Sequence, residues 1–354
     1  MQLKNIKFKM PKRKALITLC VVLSVVLVIL IAVTAYAESL LGLINRNTNE
    51  EMISQSEYDA NYHETENNLD FTGPTMDAGD VQWDGDVSVL LGKEDGIVNI
   101  MLIGQDRRPG EGRARSDSMI LCTINKEAKT LTFTSFLRDL YVQIPGYRDN
   151  RINASYAIGG MKLLDATVEK NFGVHIDGNV EIDFAGFYKA IDSMGGLEME
   201  LTGDEAWYLN KRGNWDYNDA TAGTWNLKKG VNLLTGEQLF AYSRIRDLDS
   251  DFGRTNRQRK VLSTLLESVK DMNIKELNKL LELMLPLVTT DLGNSDIMGY
   301  AMAMFPMISD MKVNSVQIPA DGTYQFAMID GMSVLVPDLD ENREVLKKAI
   351  GSVK

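Results

Sequence analysis

From residue 96 onward the chain alternates short apolar runs with amphipathic stretches. Residues 97–104 are almost continuously apolar and end in Gly104, the pattern of a strand buried on both faces. Residues 118–124 and 130–135 predict two further strands around the turn Asn125-Lys126-Glu127, and 140–144 a fourth, stopped by Pro145-Gly146. Helical periodicity follows over 160–172 and 184–194, the second closed by Gly195-Gly196. A strand is expected over 197–201, an inserted loop over the Trp-, Asn- and Gly-rich residues 207–229, a short helix over 235–240 and a strand over 241–246. The segment 254–272 is strongly amphipathic, with Val261, Leu262, Leu265, Leu266 and Val269 on one side. Helices over 274–285 and 296–305, a strand over 313–318 and a helix over 339–350 complete the series. Strands and helices intermix without a break in composition. The expected fold class is therefore mixed α/β (α+β), a central mixed sheet flanked by helices on both faces in one domain over 96–354.

The N-terminal third reads differently. Residues 15–37 are almost wholly apolar and uncharged, long enough at about 1.5 Å per residue to cross about 30 Å of hydrocarbon. Residues 1–14 hold six basic side chains and no acidic one, which predicts a cytoplasmic tail, a transmembrane signal-anchor and an extracytoplasmic remainder. Thr34-Ala35-Tyr36-Ala37 also fits a signal-peptidase site, but the apolar run exceeds the usual signal core of about 7–15 residues, and an uncleaved anchor is expected. Residues 38–95 carry fourteen carboxylates against two basic groups and little apolar periodicity. That composition predicts an acidic spacer, with a small helical subdomain over 38–55 as the alternative.

Charge narrows the function. The chain carries −11 overall, but residues 15–354 hold 32 basic against 49 acidic groups. Such a surface repels nucleic acid, so a cluster of arginines within it marks a pocket. Cys20 lies in the apolar run and Cys122 in a predicted strand, so no structural disulfide is expected and Cys122 reads as a small buried hydrophobe. The two histidines, His63 and His175, are too few for a zinc site, and no nucleophile elbow or Walker lysine loop is present.

The candidate chemistry lies in four short segments. Asp106, Arg107 and Arg108 follow the first strand; Asp117 precedes the second; Arg138 and Asp139 follow the third. Arg244 and Arg246 are two apart on the predicted 241–246 strand, on one face. Arg254, Arg257 and Gln258 share one face of a predicted helix start, where backbone N–H groups also favour anions, while Arg259 and Lys260 read as its solvated side. Guanidinium forks grip phosphate oxygens two at a time, and Asp106 with Asp117 could hold a hard cation such as Mg²⁺ that bridges them. Each carboxylate also has a plain reading as a turn or cap residue, and Arg138 one as a structural partner of Asp139.

The segments Asn99–Asp106, Arg115-Ser116-Asp117-Ser118, Tyr141–Gly146, Ile152–Tyr156, Gly236-Glu237-Gln238 and Asp251–Gln258, in this order, resemble the LytR-CpsA-Psr family of bacterial envelope enzymes. The chain departs from the family at Leu137, where proline usually precedes the arginine. The resemblance implies transfer of an anionic glycopolymer, of teichoic acid or capsular polysaccharide type, from an undecaprenyl diphosphate carrier to the muramic acid 6-hydroxyl of peptidoglycan. It places the domain outside the membrane of a Gram-positive-type bacterium. By position it implies Mg²⁺ at Asp106 and Asp117, and a diphosphate clamp of Arg138, Arg244, Arg254, Arg257, Gln258 and one of Arg107 and Arg108, with Arg246 a further candidate. Asp106, Arg138, Arg244 and Arg254 are the expected catalytic set. A carboxylate is then the expected base, Asp106 first and Asp139 as the alternative. Walls for a prenyl tail are expected from the 97–103 strand, the 261–269 helix face and the Met- and Leu-rich residues 280–285 and 298–307. Two other functions fit the same residues, a polyprenyl-diphosphate pyrophosphatase and a non-enzymatic lipid-diphosphate receptor.

Overall fold

The structure is a computed structural model that describes residues 32–46, 48, 50–62, 73–83, 87, 90–105, 113–212, 225–246, 248–308 and 310–351. It comprises two units, 1–43 and 44–354. In the first, residues 32–41 are helical. Among the described residues no helix is long and apolar enough to cross a membrane, and most of the expected 15–37 anchor lies outside them.

The second unit begins with helix α1 (Gln55–Asn61) and is organised on a six-stranded sheet. Its strands are β1 (Ile97–Gln105), β2 (Ser118–Asn125), β3 (Thr130–Phe136), β6 (Gly178–Asp183), β9 (Val288–Thr290) and β10 (Lys312–Ile318). The order is β10-β3-β2-β1-β6-β9, with β10–β3 and β1–β6 parallel and the other pairs antiparallel, so the sheet is mixed as expected. Two-stranded pairs join β4 (Tyr141–Val142) to β5 (Asn150–Arg151), β7 (Leu197–Leu201) to β8 (Gly230–Leu234) and β11 (Tyr324–Ile329) to β12 (Met332–Pro337). The outer edge of β9 is closed by the incoming chain: Asn45 N–H donates to the Val288 carbonyl at 2.9 Å, and Thr290 N–H to the Asn45 carbonyl at 3.1 Å.

The apolar runs of β1 and β2 are continuous because both faces are covered. Met101, Ile103, Met119 and Leu121 pack with helices α2 (Ile152–Phe172) and α9 (Leu339–Ile350). Val98, Ile100, Ile120 and Ile124 face α6 (Ser250–Lys270), through Leu262 and Leu266, and α8 (Asn294–Met304). A separate core joins α3 (Phe184–Ser193), α4 (Gly203–Arg212), α5 (Gly236–Ser243) and the β7–β8 pair to Val261 of α6. Helix α7 (Ile274–Met284) completes the fold, started by Asn273, whose side chain accepts from Lys275 N–H and Glu276 N–H.

Several expectations are revised. The helix predicted over 160–172 starts at Ile152 and is interrupted at Gly160, whose φ of 67° and ψ of −151° break the hydrogen-bond ladder. The carbonyls released there are taken up from outside: Arg113 donates to Ala157 O at 3.1 Å and Ile158 O at 2.9 Å, and Ile53 N–H to Ile158 O at 3.1 Å. The 38–95 stretch, expected mainly as spacer, thus supplies structure, including Tyr58, which is fully buried in the main core. Residues 241–246 are no strand. Thr235 and Gln238 form a capping box that carries helix α5 to Ser243, with Arg244 as its C-cap. Helix α6 starts at Ser250, four residues before the predicted 254, so Arg254, Arg257 and Gln258 lie beyond its first turn. The start of the 207–229 insertion is helix α4, and residues 213–224 lie outside the described set.

Two polar features test the packing. Arg257 ties α6 to α4: its Nε donates to Glu205 Oε1 at 2.9 Å, Nη1 and Nη2 grip Asp249 at 2.9 and 2.7 Å, and Nη1 reaches Ile245 O at 3.2 Å. Burial works against this guanidinium's charge, but Asp249 and Glu205 outweigh it and raise its pKa. Replacing it by alanine leaves buried Glu205 without its counter-charge, and Arg257→Ala is expected to lose about 3 kcal/mol of stability by urea denaturation. Near β6, Asn179 Nδ2 bridges Asp165 Oδ2 and Asp291 Oδ2, both at 2.8 Å. Burial, then the neighbouring acids Asp291, Glu169 and Glu50, push Asp165 up to about 7 despite the Asn179 bond. A carboxyl with a raised folded pKa stabilises when protonated, below the unfolded value near ~4, and loses that contribution as pH rises through about 7. Asp165→Asn is therefore expected to be more stable than wild type by about 2 kcal/mol at pH 8, with the gap closing at pH 4.

Candidate functional site

The site is built where β1, β2 and β3 end or begin on one side of the sheet. Gln105, the last residue of β1, is buried and donates to Glu181 of β6 and, at 3.3 Å, to the Tyr156 hydroxyl of α2; Tyr156 in turn donates to Glu181. Asp117 N–H donates to Gly104 O at 3.0 Å, which sets that carboxylate beside the end of β1. Arg138 follows β3 through Leu137, which is 1% exposed and donates its N–H to Ile318 O at 2.8 Å. A proline there, usual in the family, could not make this bond, so the departure at Leu137 adds a backbone tie and leaves Arg138 in place.

Arg138 is the hub. Its Nη1 donates to Asp117 Oδ1 at 3.1 Å and its Nε to Asp251 Oδ2 at 3.2 Å, with Asp139 Oδ2 at 3.5 Å. Asp251, in the first turn of α6, also holds Arg254 Nη2 at 3.1 Å and Arg246 Nε at 3.5 Å. Arg151 lies 3.5 Å from the other oxygen of Asp139. Four guanidiniums thus meet three carboxylates. Burial opposes charge on Asp251, yet Arg138, Arg254 and Arg246 hold it below the usual carboxylate range. Asp139 goes the other way: burial raises it against Arg138 and Arg151, and Asp251 adds to the rise. Burial, with Arg138 and Arg246 nearby, brings Arg254 down to about 10 despite Asp251. The cluster therefore carries surplus positive charge. Among the described residues the buried Nε of Arg254 and Oε1 of Gln258 have no hydrogen-bond partner. A phosphate oxygen is the kind of acceptor that the Arg254 Nε lacks, whereas the Gln258 Oε1 calls for a donor.

A small apolar pocket, open to solvent on one side, adjoins this cluster. Leu102, Ile103 and Ile120 come from the sheet, Val180 and Ile182 from β6, Phe187 and Tyr188 from α3, and Val261 and Leu262 from α6. Its polar lining is Ser118, next to Asp117, and Gln258, one turn beyond Arg254. The expected 97–103 and 261–269 walls contribute; residues 280–285 and 298–307 are not among the lining residues, and β6 and α3 take their place.

The predicted residues thus divide. Asp117, Arg138, Arg246 and Arg254 converge, with Gln258 at the cavity. Arg257 turns instead to Glu205 and Asp249. The Arg244 guanidinium lies 4.9 Å from the Phe240 ring centroid, off the helix end and not on a strand beside Arg246. Arg259 is no solvated residue: it is 5% exposed and its Nε donates to Ser315 Oγ at 2.5 Å. Asp106, Arg107 and Arg108 lie outside the described residues. Sequence reading gave no role to Asp251 or Arg151; the i, i+3 spacing of Asp251 and Arg254 was the available signal for the first. His175 pairs with Glu169 at 2.9 Å, and burial pushes the Cys122 thiol up to about 12, in line with its apolar reading.

For a cation, no group of three or more His, Cys, Asp or Glu side chains converges among the described residues. Asp117 alone of the expected pair is described, one-third exposed and bonded to Arg138 through one oxygen. This donor set still suits Mg²⁺, which is held by one or two carboxylates and otherwise by water and substrate phosphate.

Comparison with known proteins places these features. The chain is 32% identical over 237 residues to the regulatory protein MsrR of Staphylococcus aureus, covering 66% of this chain and 68% of MsrR. It is 31% identical over 242 residues to the polyisoprenyl-teichoic acid–peptidoglycan teichoic acid transferase TagT of Bacillus subtilis, covering 65% and 71%. The solved structure of the family protein YwtF (TagT) with bound octaprenyl pyrophosphate lipid superposes with a TM-score of 0.52 at 27% identity, covering 73% of this chain and 92% of that one. The sequence pattern of the LytR-CpsA-Psr family matches residues 48–350, and the chain belongs to that family.

Proposed function

We propose that this protein transfers a polyprenyl-diphosphate-linked anionic glycopolymer, of teichoic acid or capsular polysaccharide type, onto peptidoglycan. The carrying observation is the convergence of Arg138, Arg246 and Arg254 on Asp251 beside an open apolar pocket. The transferase name of TagT and the octaprenyl pyrophosphate bound in its structure support the same reading. In it the prenyl chain lies between Val180, Phe187 and Val261, and the diphosphate lies against Arg138 and Arg254. The acceptor hydroxyl attacks the sugar-linked phosphorus, the bond to the lipid phosphate breaks, and polyprenyl phosphate leaves. Arginines fixed by Asp251 and Asp117 need little rearrangement to stabilise the developing charge, which is where most of the acceleration in phosphoryl transfer arises.

The acceptor proton goes to a carboxylate. Asp106 is one candidate, and Asp139 is the other, with an affinity for protons that burial raises. Asp117, with Asp106, would hold Mg²⁺, which when bound neutralises charge on the diphosphate oxygens. Residues 15–37 serve as an uncleaved anchor with residues 1–14 in the cytoplasm, so the domain works outside the membrane of a Gram-positive-type cell.

The test uses the full chain with Mg²⁺, a polyprenyl-diphosphate oligosaccharide and a peptidoglycan oligomer. Wild type is expected to form acceptor-linked product, and Arg138→Ala and Arg254→Ala to lose at least about 100-fold in rate. Sugar phosphate released at the same rate without acceptor would make the protein a pyrophosphatase, and binding without cleavage a receptor. Val261→Trp fills the cavity and is expected to raise KM about tenfold for a long prenyl chain while leaving a short-chain analogue within about twofold.

A further inference from the structure

The transfer reading assigns the lipid and the diphosphate but leaves the acceptor without a surface. Helix α6 points to one. Its first turn holds Asp251, and the next residue, Phe252, stacks on Tyr324 of β11 at a centroid separation of 5.3 Å and an interplanar angle of 28°. Tyr324 meets Phe326 edge-on, again at 5.3 Å. Phe326 is 50% exposed, unusual for a phenylalanine on the same strand face as a core-packed tyrosine. Three rings thus run outward from the charge cluster to solvent. The strip is also anchored to the site from its other side: Phe326 pairs with Leu335 of β12, and Leu335 N–H donates to the Asp139 carbonyl at 2.9 Å.

We propose that Tyr324 and Phe326 form the platform on which the acceptor glycan of peptidoglycan lies, an inference that rests on the transferase reading. Three observations carry it. The apolar cavity belongs to the sheet face covered by α6, with Val261 and Leu262 among its walls, whereas Phe252 and Tyr324 pack with the core on the α2 and α9 face. Attacking and leaving oxygens in phosphoryl transfer are roughly in line, so with the lipid phosphate leaving toward the cavity the acceptor arrives from the opposite side, where the rings are. The rings offer flat apolar area of the kind the C–H faces of N-acetylated sugars cover. The same helix then serves all three parties, through Phe252 to the acceptor, Asp251 and Arg254 to the diphosphate, and Gln258 and Val261 to the lipid.

The test is a steady-state comparison of the full chain with its Phe326→Ala and Phe326→Tyr variants, using the lipid-linked oligosaccharide and a soluble, uncross-linked peptidoglycan oligomer. Phe326→Ala is expected to raise the acceptor KM about tenfold, the upper range for one aromatic contact, with donor KM and kcat within about twofold. Phe326→Tyr restores the acceptor KM. An unchanged acceptor KM overturns the proposal, and so does a rise confined to the donor KM, which would give the strip to the donor polymer. Saturation-transfer NMR with the peptidoglycan oligomer separates this outcome from failure of the transferase reading. Oligomer binding to wild type that Phe326→Ala abolishes supports the platform even where no transfer occurs; absence of binding to wild type removes it.

Discussion

The site depends on one carboxylate, Asp251, held between arginines from separate parts of the chain. Arg138 arrives from the end of β3, Arg246 from the turn after α5 and Arg254 from α6 itself. Without a central anion these guanidiniums would repel one another. With it they are held close and still carry net positive charge. The same contact joins the end of a central strand to the start of α6, one of the two longest helices among the described residues, so the position of α6 and the shape of the charge cluster are one constraint. Asp139 and Asp117 extend this arrangement, the first drawing in Arg151 and the second bringing the start of β2 to Arg138.

The arginines near α6 are of two kinds that local spacing does not separate. Arg254 and Arg257 are three residues apart and equally buried. One has a donor group with no partner among the described residues, and the other is engaged by two carboxylates and a carbonyl. The difference is set by Glu205, more than fifty residues earlier, and by Asp249 in the turn before the helix. Arg257 is thus committed to the architecture, while Arg254 keeps a donor without a partner among the described residues.

This non-locality explains what could be read in the sequence. The strands β1, β2 and β3 were legible because their apolar runs are continuous and bounded by glycine or turn residues. Asp117 and Arg254 were legible because the family segments contain them, and Arg138 because it follows the predicted 130–135 strand beside Asp139. The 241–246 stretch was misread because its alternation imitates a strand, whereas the Thr235–Gln238 capping box drives helix α5 to Ser243. The first turn of α6, Ser250-Asp251-Phe252-Gly253, is not legible as helix because it lacks the apolar periodicity of the residues that follow. β6, β9, β11 and β12 were missed because each is three to six residues long and defined by its pairing partners. The role of the 38–95 stretch was hidden by its acidic composition, since the contacts that matter, such as Ile53 N–H on the carbonyls beside Gly160, involve the backbone.

The closure of β9 by Asn45 has a mechanical meaning. If the preceding segment is fixed in a membrane while the product is joined to a rigid wall, tension enters the domain at Asn45. The first bonds to feel it are the two backbone contacts between Asn45 and β9, at one edge of the sheet. Between that edge and the strand leading to Arg138 lie β6, β1 and β2. Strain arriving there would peel a three-residue strand before it disturbed the charge cluster, which makes β9 a natural place for slack under such a load.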